Sequence, residues 1–146
     1  MPGEYRISSR SSGKCLDAER GSRIAGTRVQ EWDCHGGLNQ RFRLIRLGAA
    51  WVVRVMHSDL CLTVDRPRAG AGQGRLIQAD CSGAVEQFFT FAPTGQGEYR
   101  IEQAGSCLEV RGTDSLTAAE LDPGLFSVSL RECDDGRRTR QSWDLW

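Results

Sequence analysis

The chain has almost no lysine, one asparagine, two histidines and no excess charge of either sign. Lys14 and Asn39 are each the single residue of their type, and 19 basic side chains balance 19 acidic ones. A balanced surface sets up no long-range field for nucleic acid or an anionic membrane, and neither is expected as a partner. The densest basic cluster, Arg137, Arg138 and Arg140, reads as a solvated turn rather than a phosphate site. No apolar run approaches the roughly 20 residues of a membrane span, so membrane insertion is not expected. Cys-x-x-Cys is absent, and His35 and His57 do not stand at ligand spacing, which argues against zinc. No metal or other cofactor is expected. Gly70-Ala71-Gly72-Gln73-Gly74 lacks the Lys-Ser/Thr ending and the strand–turn–helix setting of a phosphate loop, and reads as a strand connection.

What the sequence does have is six cysteines in a regular pattern. Cys15, Cys61 and Cys107 are 46 residues apart both times (61 − 15 and 107 − 61), and Cys34, Cys81 and Cys133 follow them as partners. Three equivalent pairs read as three disulfides formed in an oxidising compartment, which makes a secreted, extracellular protein the expectation. Each would close a loop of some 20 residues and stabilise the fold by about 3 kcal/mol in the chain-entropy model. Met1-Pro2-Gly3 does not open a signal peptide. The chain is then a trimmed domain, or is exported another way, or stays inside with reduced thiols.

Each cysteine pair belongs to one of three internal repeats, about 3–48, 49–96 and 97–146, within one domain spanning 1–146. Each repeat opens on an alternating strand: Glu4-Tyr5-Arg6-Ile7, Trp51 to Val55, and Glu98-Tyr99-Arg100-Ile101. A second strand carries Cys-Leu-x, as Cys15-Leu16-Asp17, Cys61-Leu62-Thr63 and Cys107-Leu108-Glu109. A third strand ends in the second cysteine, and a turn then leads to Gln-x-aromatic: Gln40-Arg41-Phe42, Gln87-Phe88-Phe89, Gln141-Ser142-Trp143. This predicts four short strands per repeat, about twelve in all, and no helix of consequence. One repeat cannot bury its own apolar face, so three pack about a pseudo-threefold axis. Leu16, Leu62, Leu108, Phe42, Phe89 and Trp143 are the expected shared core. The third pair is wider, 26 residues against 19 and 20, because of an insertion at 113–126.

Three registered copies of Cys-Leu-x, second cysteine and Gln-x-Phe/Trp resemble the ricin B-type lectins, the family 13 carbohydrate-binding modules. The resemblance covers Glu4 to Trp146 and implies an all-β fold, a β-trefoil of three four-stranded repeats. It implies sugar binding, typically of galactose or galactosides and in bacterial modules of xylan, with no catalytic residues. A competent repeat of that family places Asp after Cys-Leu, then Gln-x-Trp-x-Cys, then Asn-Gln-x-Trp. The first repeat reads Cys15-Leu16-Asp17, Gln30-Glu31-Trp32-Asp33-Cys34 and Asn39-Gln40-Arg41-Phe42, departing only at Phe42. The resemblance therefore implies a site made of Asp17, Gln30, Trp32, Asn39 and Gln40.

The chemistry of these residue types agrees. A pyranose offers an apolar C–H face, which the Trp32 indole would cover. Its hydroxyl rim would give protons to the Asp17 carboxylate in charge-assisted bonds and exchange bonds with Asn39. Gln30 adds a further bond, and Gln40 is expected to orient Asp17 rather than touch sugar. The bland alternative has Trp32 packed inward and Asp17 capping a turn. His35 is expected to be a solvated turn histidine, and His57 to have no partner suggesting a base. The second repeat has Thr63, Ala79 and Glu86 at the site positions, and the third has Glu109, Arg131 and Arg140. The second site is expected to be dead, and the third departs from the pattern with Phe126 as its one available substitute platform, so the chain reads as a one-site module.

The leading function is thus binding of a galactose-containing glycan or xylan through one site, by a free-standing lectin or by an appendage of an enzyme or toxin domain. One shallow site implies an affinity near millimolar, or about 4 kcal/mol. The alternative is a protein-binding trefoil acting through the inserted loop, with Leu121, Leu125 and Phe126. Catalysis is not expected. Asp114 and the Asp134-Asp135 pair are not evidently two carboxylates facing each other across a cleft.

Overall fold

The computed structural model describes residues 1–66, 74–110 and 128–146. The Gly70–Gln73 stretch, the inserted loop at 113–126, Asp114 and Phe126 lie outside the described residues. Regular structure consists of short strands and 3₁₀ turns. The first repeat holds β1 (Gly3–Tyr5), β2 (Ile7–Ser9), β3 (Cys15–Ala18), β4 (Val29–Trp32) and β5 (Phe42–Leu47). The second holds β6 (Ala50–Val55), β7 (Cys61–Asp65), β8 (Gly74–Ala79) and β9 (Thr90–Pro93). The third holds β10 (Tyr99–Gln103), β11 (Ser106–Val110), β12 (Val128–Glu132) and β13 (Trp143–Leu145).

Thirteen strands stand among the described residues where about twelve were expected, because the first expected strand changes partner at Arg6. β1 pairs with β5 through Tyr5 and Phe42, while β2 pairs with β13 through Ile7 and Leu145. Arg6 spans the junction by exchanging backbone bonds with Trp146, at 2.9 and 3.0 Å.

This double pairing closes a barrel. From β5 the ladder runs to β6, across a Trp51–Phe89 bridge to β9, then to β10, β13, β2 and, through Arg6, back to β1. Closure leaves no free edge on the ring. Three hairpins, β3–β4, β7–β8 and β11–β12, cap one end. They meet each other where β8 pairs with β12 and where Arg28 bridges Ile77. A six-stranded barrel capped by three hairpins in threefold array is a β-trefoil.

The core sits on the pseudo-axis, where the strands alternate side chains inward. Leu16, Leu62, Leu108, Phe42, Phe89 and Trp143 are all buried, each at 0–1% exposure. Removing such a side chain from water is worth about 1.5–3 kcal/mol. The buried Trp143 indole finds a partner in the Leu108 carbonyl at 3.0 Å. Each cap hairpin is tied by its disulfide, Cys15–Cys34, Cys61–Cys81 and Cys107–Cys133. The bond draws the segment after the hairpin back beside its first strand, and this places the residues discussed next.

Candidate functional site

The Gln of each Gln-x-aromatic motif is a fully buried staple, made three times in the same way. The Gln40 amide donates to Asp17 Oδ2 at 2.8 Å and to the Asp33 carbonyl at 2.9 Å, while its oxygen accepts from His35 N at 2.7 Å. Gln87 does the same with Thr63 Oγ1, the Asp80 carbonyl and Ser82 N, at 3.1, 2.7 and 2.9 Å. Gln141 repeats it with Glu109 Oε1, the Glu132 carbonyl and Asp134 N, at 2.8, 2.9 and 3.0 Å. A buried amide has two donors and an acceptor to satisfy, and this arrangement satisfies them. Gln40 is therefore out of reach of any ligand at the surface and acts on the site through Asp17.

What differs between repeats is the side chain each staple holds. In the first, the β3–β4 register sets Asp17 opposite Gln30 and Cys15 opposite Trp32. Strand alternation then puts Asp17, Gln30 and Trp32 on one face. Asp17 is buried at 3% exposure, whereas Trp32 is 57% exposed, so the inward-packed alternative does not hold. Asn39, on the short 3₁₀ turn Leu38–Gln40, donates to Asp17 Oδ2 and to the Ala18 carbonyl, both at 3.2 Å. Together with Glu19, Arg20, Gly21 and His35, these residues line a hollow of about 540 Å³.

The Asp17 carboxylate is used unevenly. Oδ2 takes Gln40 and Asn39, with His35 Nε2 at 3.6 Å, while Oδ1 receives only the Gln30 amide at 3.5 Å. Oδ1 thus keeps acceptor capacity toward the hollow. His35 is not a plain solvated turn residue: its Nδ1 accepts from Gly37 N at 2.9 Å. That bond leaves the ring proton on Nε2, facing Asp17. Gly37 must be small, because a Cβ there would stand 2.6 Å from the His35 ring and 2.7 Å from Asn39 Oδ1.

Sequence reasoning missed the far wall of the hollow. Glu19–Gly21 form a 3₁₀ turn, and a loop running to Thr27 follows it. Two second-repeat residues hold this segment. His57 Nε2 lies 2.9 and 2.8 Å from the Gly21 and Ser22 carbonyls, and the Gln78 amide donates to the Ser22 and Ile24 carbonyls at 2.7 and 3.1 Å. His57, for which the sequence offered no role as a base, anchors this segment. A buried glutamine on a hairpin that lacks its own site residues was the one available signal.

The other two repeats present different surfaces. In the second, the Thr63 hydroxyl is spent on Gln87 and the Cys61 carbonyl, and Ala79 leaves no ring. In the third, Arg137 bonds Glu109 Oε1 and Asp134 Oδ2, each at 2.8 Å, and Arg131 approaches Glu109 at 3.9 Å. The Arg137 guanidinium is held protonated above its ordinary range chiefly by that Glu109 bond. The arginines lie on a turn, as expected, and within it the partly exposed Arg137 guanidinium pairs with Glu109 at the third-repeat position. Among the described residues, no cluster of His, Cys, Asp and Glu is arranged to hold a metal ion.

Known structures share the fold. The chain superposes on the designed threefold-symmetric protein ThreeFoil with a TM-score of 0.81 and 27% identity, covering 98% of this chain and 97% of that one. An exo-β-1,3-galactanase from Clostridium thermocellum matches at 0.79 and 26% identity over 98% of this chain, which spans 30% of the enzyme. A ricin B-like lectin of Macrolepiota procera, solved with lactose, shares the fold at 0.71 and 18% identity, covering 99% of this chain and 96% of that one. Residues 3–143 match the ricin-type β-trefoil lectin domain, and the chain belongs to that carbohydrate-binding family.

Proposed function

We propose that this domain binds galactose or a galactoside through one site, in the first repeat, with Trp32 as stacking platform and Asp17 and Asn39 as hydroxyl partners. The reading rests on one observation above the rest: an exposed indole and a buried, oriented carboxylate with a free lone-pair direction open onto one hollow. Gln30 borders that hollow as a further donor, and Gln40 fixes Asp17 from beneath. The second and third repeats argue against further sites among the described residues, since one has Thr63 and Ala79 in place of Asp17 and Trp32 and the other pairs Glu109 with Arg137. Three disulfides favour an oxidising, extracellular setting, and weak single-site affinity favours a polymeric ligand, tandem modules or a fused domain to supply avidity.

The test is a calorimetric titration with galactose and lactose beside xylose and xylobiose. Saturable galactoside binding with a stoichiometry of one, lost in Asp17→Ala and in Trp32→Ala, is the expected result. Selective xylo-oligosaccharide binding lost in the same variants would keep the site and change the ligand to xylan. Galactoside binding that survives both substitutions would overturn the site.

A further inference from the structure

The hollow beside Asp17 contains one cation that no acidic side chain pairs with among the described residues. Asp17 is met by amide donors, Glu19 is paired with Arg28 at 3.1 Å, and His35 accepts from Gly37 N at 2.9 Å. Arg20 is exposed, lines the hollow and has no hydrogen bond or ion pair among the described residues. Its pseudo-symmetric counterpart in the second repeat, Arg66, is engaged instead, donating to Gln103 at 3.0 Å.

Arg20 is also held in place. Its backbone lies at φ 56° and ψ 22°, a left-handed conformation that residues other than glycine seldom adopt. The segment around it is tied at every step. Glu19 N donates to the Arg28 carbonyl at 3.0 Å, Ser22 N to the Glu19 carbonyl at 3.1 Å, and the Gly21 and Ser22 carbonyls face His57. The buried Gln78 fastens the loop beyond, and Ser58 in turn holds Gln78 at 2.8 Å. The second repeat thus clamps the turn that carries Arg20, whose unpaired side chain lines the same hollow as Trp32.

We propose that the first-repeat site takes a galactoside bearing an anionic substituent, received by Arg20, with His57 and Gln78 as positioning residues for that wall. The proposal rests on the reading of the first repeat as the sugar site. A planar guanidinium with five donors suits a carboxylate or a sulfate ester alike. The two sources share the chemistry and differ only in the oxyanion.

Titration of the oxidised domain with galactose, galacturonic acid and galactose 6-sulfate, at low and at physiological salt, separates the outcomes. At least one acidic sugar should bind about fivefold tighter than galactose at low salt, the upper end for an exposed ion pair. The advantage should shrink as salt is added. In Arg20→Gln the acid-to-neutral affinity ratio should fall to one, whatever happens to galactose itself. In His57→Ala and Gln78→Ala, with a far-ultraviolet spectrum like the parent's, the ratio should fall part of the way, and His57→Gln should restore some of it. Gain for galacturonic acid alone assigns a uronate, for the sulfate alone a sulfated sugar, and for both an anion of either kind. Equal affinity for all three sugars, or a ratio unchanged in Arg20→Gln, overturns the anionic wall and leaves the sugar site standing. No saturable binding of any of them overturns both.

Discussion

Gln40→Leu and Gln87→Leu remove the same three hydrogen bonds from two repeats, at nearly constant volume, and differ in what the glutamine held. Both side chains are buried, at 0% and 2% exposure. Each substitution strands a strand-end carbonyl and a backbone N–H, Asp33 and His35 in one case and Asp80 and Ser82 in the other. Those bonds are partly buried, so water recovers part of each, and the pair is worth about 1–2 kcal/mol in either repeat. The third bond separates them. Gln87 gives it to the neutral Thr63 hydroxyl at 3.1 Å, a further ~0.5–1 kcal/mol, whereas Gln40 gives it to the buried Asp17 carboxylate at 2.8 Å. A hydrogen bond to a charged acceptor is worth about 1.5–3 kcal/mol. Gln40→Leu should therefore destabilise by about 2.5–5 kcal/mol and Gln87→Leu by about 1.5–3 kcal/mol. Urea unfolding of the oxidised domain reads this, with equal m-values required so that the midpoints report stability alone. Equal losses within about 0.5 kcal/mol, a typical error for such comparisons, would refute the claim that Asp17 is a charged group kept in place by Gln40.

Gly37→Ala keeps an allowed backbone, φ −69° and ψ 150°, but drives a methyl into His35 and Asn39. Sugar affinity should fall about tenfold, the equivalent of one good hydrogen bond, while the unfolding midpoint moves little; unchanged affinity would mean neither side chain contributes. Burial pushes the Glu31 carboxyl up, against the opposing Ser12 hydroxyl bond and Lys14 charge. An acid that holds its proton more tightly when folded loses stability as pH rises through its folded pKa, so Glu31→Gln should raise the melting temperature at pH 7 and not at about pH 3. A gain of equal size at both values would assign the effect to packing. In a double-mutant cycle of Arg137→Gln and Glu109→Gln, the coupling should be about 1 kcal/mol, discounted for the exposed guanidinium, and should weaken with salt. Zero coupling at low salt would show the third-repeat pair to be incidental.

Most of the architecture could be read from spacing because the repeat states each constraint three times. The 46-residue period, the cysteine pairs and the Cys-Leu positions fixed hairpins, disulfides and core together, and Leu16, Leu62 and Leu108 lie where a period-2 strand puts them. The near wall of the site was legible for a similar reason: Asp17, Gln30 and Trp32 are at register-related positions on one hairpin. The far wall was not. His57 and Gln78 reach it from another repeat, across 36 and 56 residues, and nothing local to Gly21 or Ser22 signals the contact. The Arg137–Glu109 pair was not legible either, because it joins the third repeat's own 3₁₀ turn, Asp135–Gln141, to a strand 28 residues earlier.

The staple explains how the repeats can diverge in function without diverging in fold. Two of its three bonds go to backbone, so any side chain at position 17, 63 or 109 that accepts one hydrogen bond completes it. Aspartate, threonine and glutamate all do so here, at 2.8, 3.1 and 2.8 Å. Folding therefore selects for an acceptor at these positions and is indifferent to whether that acceptor is available to a ligand. Availability is decided by groups outside the staple: an exposed Trp32 against Ala79 or Arg131, and an Asn39 that shares Asp17 against an Arg137 that neutralises Glu109. Loss of a site then costs the fold little. The pins from His57 and Gln78 show that a repeat without site residues of its own still has a mechanical role, because the loop it holds forms the wall of its neighbour's hollow.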